Sequence, residues 1–158
     1  PDDERIPDSF EIARKMGLSY SFGIANLTSA HPNSVVLEVK GKSGRTLEVQ
    51  ACSLGGGRIM INRLDGLDVN CSCEIPTLIV HNLDQPGHVA EVTSMLAHKS
   101  VNIANMSLYR DKRGGSAVMV VEMDQPLPKE SLEWLEHLEG IVKVTYINVT
   151  EGEEDDVL

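Results

Sequence analysis

The residues best placed for chemistry lie in the run from His81 to Val89, which reads His-Asn-Leu-Asp-Gln-Pro-Gly-His-Val. The run connects a predicted strand to a predicted helix, whose free N–H groups and positive dipole end suit a carboxylate. Gly87 has no side chain, so a ligand could approach the backbone there closely. Asp84 could hold the amino group of the same ligand. The run predicts an amino-acid site, although Asp84 could instead be a helix N-cap and Pro86-Gly87 an ordinary turn.

A second candidate site is the glycine triplet Gly55-Gly56-Gly57, which Arg58 follows. Consecutive glycines could turn their backbone N–H groups toward one bound anion, and the Arg58 side chain would add positive charge. The alternative is a flexible turn or bulge that joins two strands. The sequence leaves both interpretations open: an anion nest formed by Gly55, Gly56, Gly57 and Arg58, or a connection without a ligand.

The chain contains three cysteines, Cys52, Cys71 and Cys73. So few thiols, odd in number, favour a reducing cytosol over a disulfide-bonded secreted domain. Cys71 and Cys73 are two residues apart in an alternating stretch, so we expect both on one face of a sheet. A metal or iron–sulfur site usually takes four soft ligands, so we expect buried free thiols and no metal site in this chain. The sequence has no nucleophile elbow or metal-binding histidine pair, and we predict no catalytic residue.

The charge of the chain limits its class of partner. The formal net charge is −10 over 158 residues, which argues against nucleic acid because phosphates are bound by Lys and Arg. Half of that charge comes from acidic residues at the end of the sequence, which predict a disordered tail. No apolar run is long enough for a membrane helix and no secretory signal is visible, so we expect a cytoplasmic protein. The sequence starts with Pro1 rather than Met, and we expect a fragment of a longer chain.

The second half of the sequence has the order strand, helix, strand, strand, helix, strand. Thr77 to Leu83 is a predicted strand, and Pro86 opens a helix whose apolar positions recur at helical spacing. The continuous apolar run from Ala117 to Val121 predicts a strand at the centre of a sheet. The remaining predicted elements are strands at Val101 to Arg110 and Ile141 to Val149 and a helix from Pro128 to Gly140.

The first half predicts a short helix followed by a meander of strands. Asp8 and Glu11 have the spacing of a capping box, and Gly17 stands where a left-handed helix end is expected. Alternation predicts a strand at Tyr20 to Ile24. Further alternating stretches predict strands at 35–39, 47–51, 59–61 and 67–75, with a hairpin turn at Asp65-Gly66. The sequence therefore predicts an α+β fold in three parts: an α/β domain at 1–75, a ferredoxin-like βαββαβ domain at 76–150 and the acidic tail at 151–158.

The second half resembles the ACT family over about Pro76 to Thr150. The resemblance rests on the turn Asn82-Leu83-Asp84-Gln85-Pro86-Gly87 and on Val101-Asn102-Ile103 at the start of the second strand. In that family, units pair with one another and amino-acid effectors bind near these two segments, often across a dimer interface. Many members have lost their ligand and serve only as dimerisation modules. The resemblance implies these effector-binding residues: Asn82, Asp84, Gly87, His88, Val89, Asn102 and Ile103.

The first half of the sequence carries motifs of a more specific family. Its motifs are His31-Pro32-Asn33-Ser34, Ser53-Leu54-Gly55-Gly56-Gly57-Arg58-Ile59 and Asp65-Gly66. Together with the ACT unit that follows in the sequence, these motifs resemble the beta subunit or beta domain of iron–sulfur-dependent L-serine dehydratase, over about Asp2 to Asn148. In that family a small α/β domain, similar to the allosteric substrate-binding domain of some D-3-phosphoglycerate dehydrogenases, precedes the ACT unit. A Ser-Ser-Ser-His-Thr segment of the family is absent here, so we expect an N-terminally truncated form with a partial first domain.

The resemblance implies a regulatory and assembly role in an L-serine ammonia-lyase, which converts L-serine to pyruvate and ammonia. In that family a [4Fe–4S] cluster acts as Lewis acid in the alpha part, which also supplies its cysteine ligands. The resemblance therefore implies a chain that holds no cofactor, is inactive alone, partners an alpha subunit or domain and forms a homodimer through its ACT domain. Two alternatives stay open: the C-terminal regulatory part of a D-3-phosphoglycerate dehydrogenase, and a free-standing amino-acid-sensing module.

Overall fold

The structure is a computed structural model that describes residues 3–28 and 30–148. The predicted acidic tail and the end of the predicted last strand lie outside the described residues. Contacts divide the chain into two compact units between His31 and Pro32. No helix in the described part of the chain is long and apolar enough to cross a membrane.

The first unit contains one short helix. A 3-10 turn at Ile6–Asp8 leads into α1 (Ser9–Lys15), and Gly17 has the predicted left-handed conformation with φ 75°. The predicted strand at Tyr20 to Ile24 is wrong, because alternation alone cannot make a strand without a partner to hydrogen-bond. Instead, three aromatic rings form a cluster with centroids 5.3 to 5.8 Å apart: Phe10, Tyr20 and Phe22.

The second unit begins with a four-stranded antiparallel meander. Its strands are β1 (Ser34–Lys40), β2 (Thr46–Gly55), β3 (Arg58–Leu64) and β4 (Leu67–Cys71), in that spatial order. The hairpin between β3 and β4 has positive φ at both Asp65 and Gly66, as predicted for this two-residue turn. The alternating apolar pattern of the sequence therefore predicted the four strands of this sheet. The predicted extension of the last strand to residue 75 is wrong, because β4 ends at Cys71 and the backbone turns at Cys73 with φ 54°. Cys73 thus lies outside the sheet and does not share a sheet face with Cys71 as predicted.

The second sheet follows the predicted split βαβ plan. Its elements are β5 (Thr77–Leu83), α2 (His88–His98), β6 (Ile103–Arg110), β7 (Ser116–Met123), α3 (Lys129–Glu136) and β8 (Ile141–Ile147). The spatial order is β6-β7-β5-β8, and each neighbouring pair is antiparallel. The α+β fold class is thus confirmed, with β5 and β7 at the centre of the sheet.

Both faces of this second sheet are covered. Leu78 and Val80 of β5 point into a core with the two helices, where Leu96 and Leu135 are also fully buried. Ile79 points the other way, into a core shared with the meander. Because one sheet takes part in both cores, residues 32–148 hold together as one compact unit. The predicted boundary at 74–76 falls in the segment between β4 and β5, and the division into domains 1–75, 76–150 and 151–158 stays a prediction.

A polar cluster lies where the two sheets meet. The Asp65 carboxylate, in the turn of the meander, accepts a 2.5 Å hydrogen bond from Lys143 Nζ of β8 and a 2.9 Å bond from the Glu48 N–H. His81 Nε2 lies 3.6 Å from the same carboxylate and makes no hydrogen bond among the described residues. Arg45 donates to the Val144 carbonyl nearby. The cluster therefore joins the meander to strands β5 and β8.

Burial and charge set the titration of this cluster. Burial alone would raise the pKa of Asp65, but the hydrogen bonds from Lys143 and Glu48 outweigh burial and hold the pKa below its ordinary value of 3.8. Burial lowers the pKa of His81 below its ordinary value of 6.5; Asp65 opposes this shift, while Lys143 and Arg45 add to it. His81 is therefore kept neutral by the fold.

The neutral state of His81 predicts a loss of stability in mild acid. A depressed pKa means that the unfolded chain binds the proton first, so the stability linked to His81 is lost as the pH falls below 6.5. Asp65 acts in the same direction only below pH 3.8. We expect His81→Gln to flatten the fall in unfolding free energy between about pH 7 and pH 5, measured by urea denaturation. His98→Gln, which changes an exposed histidine of α2, should keep the original slope; an unchanged slope in His81→Gln would contradict the assignment.

Candidate functional site

The turn after β5 leaves the Gly87 backbone open. Gly87 is the N-cap residue of α2 and has φ 110°, a conformation that residues with a side chain rarely adopt. A Cβ placed on Gly87 would meet no atom within 4 Å. No side chain caps this end of the helix. The start of α2, where the sequence predicted a ligand carboxylate, is therefore not capped by a side chain, and the space beside Gly87 at its Cβ position is open.

Asp84 fixes the turn to a neighbouring hairpin. Its Oδ2 atom accepts a 3.0 Å bond from Arg110 at the end of β6 and a 2.9 Å bond from the Gly114 N–H. The Gly114 bond and then Arg110 lower the pKa of Asp84 below its ordinary value. The interpretation of Asp84 as a helix N-cap is wrong, because Gly87 holds that position and Asp84 bonds to the hairpin instead. The predicted bond from Asp84 to a ligand amino group stays a prediction.

Two buried side chains beside this turn have unpaired polar atoms. Asn82 donates from Nδ2 to the Leu83 carbonyl at 2.6 Å, while its Oδ1 has no partner among the described residues. His88 Nδ1 lies 3.1 Å from Glu91 Oε2, and its Nε2 is likewise without a partner there. Both side chains are more than nine-tenths buried. Unpaired buried polar atoms are uncommon and costly, so these two suit a polar ligand at this end of the sheet.

Gly140 brings these two side chains to one place. Its carbonyl accepts the Leu83 N–H at 2.9 Å, and the next residue, Ile141, lies opposite Asn82. A Cβ on Gly140 would lie only 2.5 Å from His88 Nε2. The His88 ring therefore packs directly on the Gly140 backbone, which only a glycine allows.

Asn102 and Ile103 lie at the other end of the sheet. Strands β5 and β6 are both antiparallel to β7 and thus run parallel to each other. The start of β6 is therefore level with Thr77, roughly 20 Å from the end of β5. Asn102 is held there by hydrogen bonds with Asp124 and Gln125. One chain thus brings together Asn82, Asp84, Gly87, His88 and Val89 but leaves Asn102 and Ile103 apart from them.

The glycine triplet forms a tight hairpin turn between β2 and β3. Gly55 lies opposite Arg58, and the two glycines between them have φ 63° and 77°. Positive φ at both central positions is the geometry of a type I′ hairpin turn. This geometry favours the turn, and the anion nest at Gly55 to Arg58 stays a prediction.

Sequence analysis did not identify Arg110 and Gly140 as parts of the site. The signal for both was indirect, since each flanks a turn, and the split βαβ plan places these turns at the end of the sheet where β5 finishes. It also missed the polar cluster of Asp65, His81 and Lys143, because its members are far apart in the sequence.

The described residues contain no metal-binding group. Across residues 3–28 and 30–148, no three His, Cys, Asp or Glu side chains come together in a suitable arrangement. Cys52, Cys71 and Cys73 are free and buried, as predicted. These residues do not fit a [4Fe–4S] cluster, and we assign no step through a cluster to this chain.

Known proteins are similar to this chain over most of its length. The model of the ACT domain family matches residues 76–139. The "Probable L-serine dehydratase, beta chain" of Bacillus subtilis (strain 168) is 33% identical over 145 residues, which are 92% of this chain and 66% of that protein. The "L-serine dehydratase, beta chain" of Peptoniphilus asaccharolyticus is 31% identical over 150 residues, 94% of this chain and 68% of that protein. The chain thus spans about two thirds of the length of these relatives.

A third relative shares a smaller region. The D-3-phosphoglycerate dehydrogenase of Methanocaldococcus jannaschii is 31% identical over 90 residues, which are 57% of this chain but 17% of that protein. The similarity to this dehydrogenase is therefore confined to a small part of it.

The two site glycines predict graded losses of stability. Gly87→Ala should lower the unfolding free energy by about 1–3 kcal/mol, because the backbone there disfavours any side chain although space is free. Gly140→Ala should cost more, since its φ is also positive and its methyl group would displace the His88 ring. Gly41→Ala, at ordinary φ and with ordinary contacts, should change stability by no more than about 0.5 kcal/mol. Chemical denaturation measures all three, and equal losses at Gly41 and Gly87 would contradict the backbone argument.

Proposed function

The chain belongs to the family of L-serine dehydratase beta chains, and from this premise we propose that it is the regulatory and assembly part of an enzyme that converts L-serine to pyruvate and ammonia. Catalysis resides in a separate alpha part, where a [4Fe–4S] cluster supplies a Lewis acid. This chain contributes a sensor and a pairing surface instead of reacting groups. The observation that carries the proposal is the open helix end at Gly87, beside the unpaired atoms of Asn82 and His88.

The ligand that this geometry suits is a small amino acid, with L-serine as the first candidate. Its carboxylate would accept hydrogen bonds from the N–H groups at the start of α2, where the helix dipole is positive. Asn82 Oδ1 accepts a hydrogen bond and would suit an ammonium or hydroxyl group. His88 Nε2 offers a second polar contact at the same end of the sheet. A neutral apolar ligand would leave all these groups unpaired.

Strand β6 provides the pairing surface. It is an outer strand, and no strand among the described residues pairs with its outer edge. Leu108 on this strand is half exposed. The opposite outer strand, β8, is partly covered, because Arg45 bonds to its Val144 carbonyl. Two copies joined antiparallel through β6 would form one eight-stranded sheet and give a homodimer through the ACT unit.

Antiparallel pairing would also reunite the predicted effector residues. In such a pair the start of one β6 lies beside the end of the other. The end of β6 is Arg110, which is bonded to Asp84 in the ligand turn. Asn102 and Ile103 of one copy would therefore approach Asp84 and Gly87 of the second copy. The separation of these residues within one chain is thus an argument for a site shared by two chains.

Regulation requires that the ligand bind one conformation of the enzyme better than another. A ligand held between two copies meets this condition, because it binds the paired form in preference to the single chain. The D-3-phosphoglycerate dehydrogenase alternative is supported less well, since the similarity to the Methanocaldococcus jannaschii protein covers 57% of this chain, whereas the similarity to the two beta chains covers 92% and 94% of it. A free-standing sensing module has no feature in its favour beyond the ACT unit.

L-serine binding should depend on the β6 edge. Leu108→Lys places a charge on the pairing surface and should give a single chain in sedimentation together with the loss of L-serine binding in calorimetry. Val142→Lys, on the exposed side of β8, is the matched control and should keep both the pair and the ligand. Asp84→Ala should weaken binding by about tenfold or more, because the turn loses its bonds to Arg110 and Gly114. Full L-serine binding by a Leu108→Lys single chain would contradict the shared site.

The assembly role predicts that activity needs both parts. The purified chain alone should not release pyruvate from L-serine, whereas a mixture with the dehydratase alpha chain of the same organism should co-elute on size exclusion and be active. Val142→Lys should assemble as the unchanged chain does. Pyruvate release by the chain alone, or failure of the two parts to co-elute under reducing and anaerobic conditions, would contradict this role while leaving the ligand test independent.

A further inference from the structure

The thiol of Cys71, the last residue of β4, touches the thiol of Cys73, which lies in the segment between the two sheets. Their sulfur atoms are 3.1 Å apart, although 98% and 94% of these residues are buried. In a regular strand, side chains two residues apart point the same way but stay roughly 6 to 7 Å from each other. Cys73 departs from the strand with φ 54°, and this turn of the backbone brings its sulfur back onto Cys71.

The conformation of Cys73 is unusual for its residue type. Three described residues other than glycine have positive φ: Asp65, Cys73 and Ser100. Asp65 lies in a hairpin turn and Ser100 follows the end of α2, so both have local reasons for this conformation. Cys73 lies in neither setting. A backbone held in a sparsely populated region points to a function at that residue.

The two thiols differ in acidity. Their mutual hydrogen bond lowers the pKa of Cys71, and the same bond together with burial raises the pKa of Cys73. The Glu122 carboxylate, which accepts a hydrogen bond from Ser72, also opposes a thiolate at either position. One thiol of the pair is thus the better nucleophile, and the other stays protonated beside it.

We propose that Cys71 and Cys73 form a redox-sensitive pair that a small peroxide converts into an intramolecular disulfide. The Cys71 thiolate attacks one peroxide oxygen, so that an S–O bond forms, the O–O bond breaks, and hydroxide leaves and takes up a proton to become water. The Cys73 sulfur then attacks Cys71, the S–S bond forms, and the S–O bond breaks. A second water leaves with the Cys73 proton. The two sulfurs together lose two electrons, and the peroxide gains two.

The third cysteine provides an internal control. Cys52 is as well buried as the pair. Its neighbour Ala51 lies opposite Ile61, which lies opposite Cys71, so Cys52 faces the other side of the meander. Within the described residues the hydrogen bond between two thiols joins Cys71 and Cys73, and Cys52 is a free cysteine that takes no part in it. The three thiols are therefore equally well buried, but the short distance between two thiol sulfurs is found for Cys71 and Cys73.

The test is hydrogen peroxide treatment of the full chain, followed by denaturation, alkylation and peptide mapping by mass spectrometry. We expect one peptide that contains both Cys71 and Cys73 with two fewer hydrogen atoms and no alkyl group, restored by dithiothreitol, while Cys52 becomes alkylated. Cys52→Ser should behave in the same way. Cys73→Ser should stop at a sulfenic acid on Cys71 that dimedone traps.

The peroxide experiment on the unsubstituted chain tests the proposal even if the variants fail to fold. Oxidation of all three thiols at equal rates, disulfides between chains in place of the internal bond, or a Cys71–Cys73 pair that stays reduced under peroxide would each overturn it. Cys73→Ala gives a second variant, which removes the partner sulfur without adding a polar group to the core. A Cys73→Ala protein that forms no trappable sulfenic acid at Cys71 would overturn the assignment of Cys71 as the attacking thiol.

Discussion

The structure of the second unit depends on one constraint: the central strands of its second sheet are buried on both faces. Leu78 and Val80 pack against the helices, while Ile79 and Val120 pack against the meander. Neither core can form without the shared sheet, so the ends of β5 are fixed from two sides. The turn that carries Gly87 starts at such a fixed end. A rigid strand is what allows a short turn to hold backbone N–H groups in place for a ligand.

The same interface contains a charged cluster that apolar packing alone does not require. Asp65, Lys143 and His81 take up positions that could be filled by apolar side chains, and burying charge is costly unless each charge is paired. The hydrogen bonds of Asp65 reach both sheets, so sliding one sheet over the other would break them. We interpret the cluster as a device that fixes how the sheets are aligned, with hydrophobic burial supplying most of the stability.

Local sequence patterns predicted the helices and strands, whereas tertiary contacts decided which site residues lie together. Alternation, together with Pro86 and Gly140, gave the order of the second sheet, and Gly87 was identified as an open backbone position. The partners of Asp84 could not be predicted, because Arg110 lies 26 residues away and meets it only through the strand order. The same strand order places Asn102 far from Gly87 in one chain. The strand at Tyr20 to Ile24 failed for a related reason, since alternation records which side chains could share a face but not whether a partner strand exists.

The segment between the two sheets is short. Residues 72–76 connect the end of β4 to the start of β5, and five residues span at most roughly 17 Å, while packed sheets lie about 10 Å apart. If the meander were to lift from the second sheet, this tether would keep the two surfaces at a very high effective concentration. Opening would then be a brief hinge motion about the connector rather than a separation. A reagent that reached the interior by this route would arrive next to the connector itself.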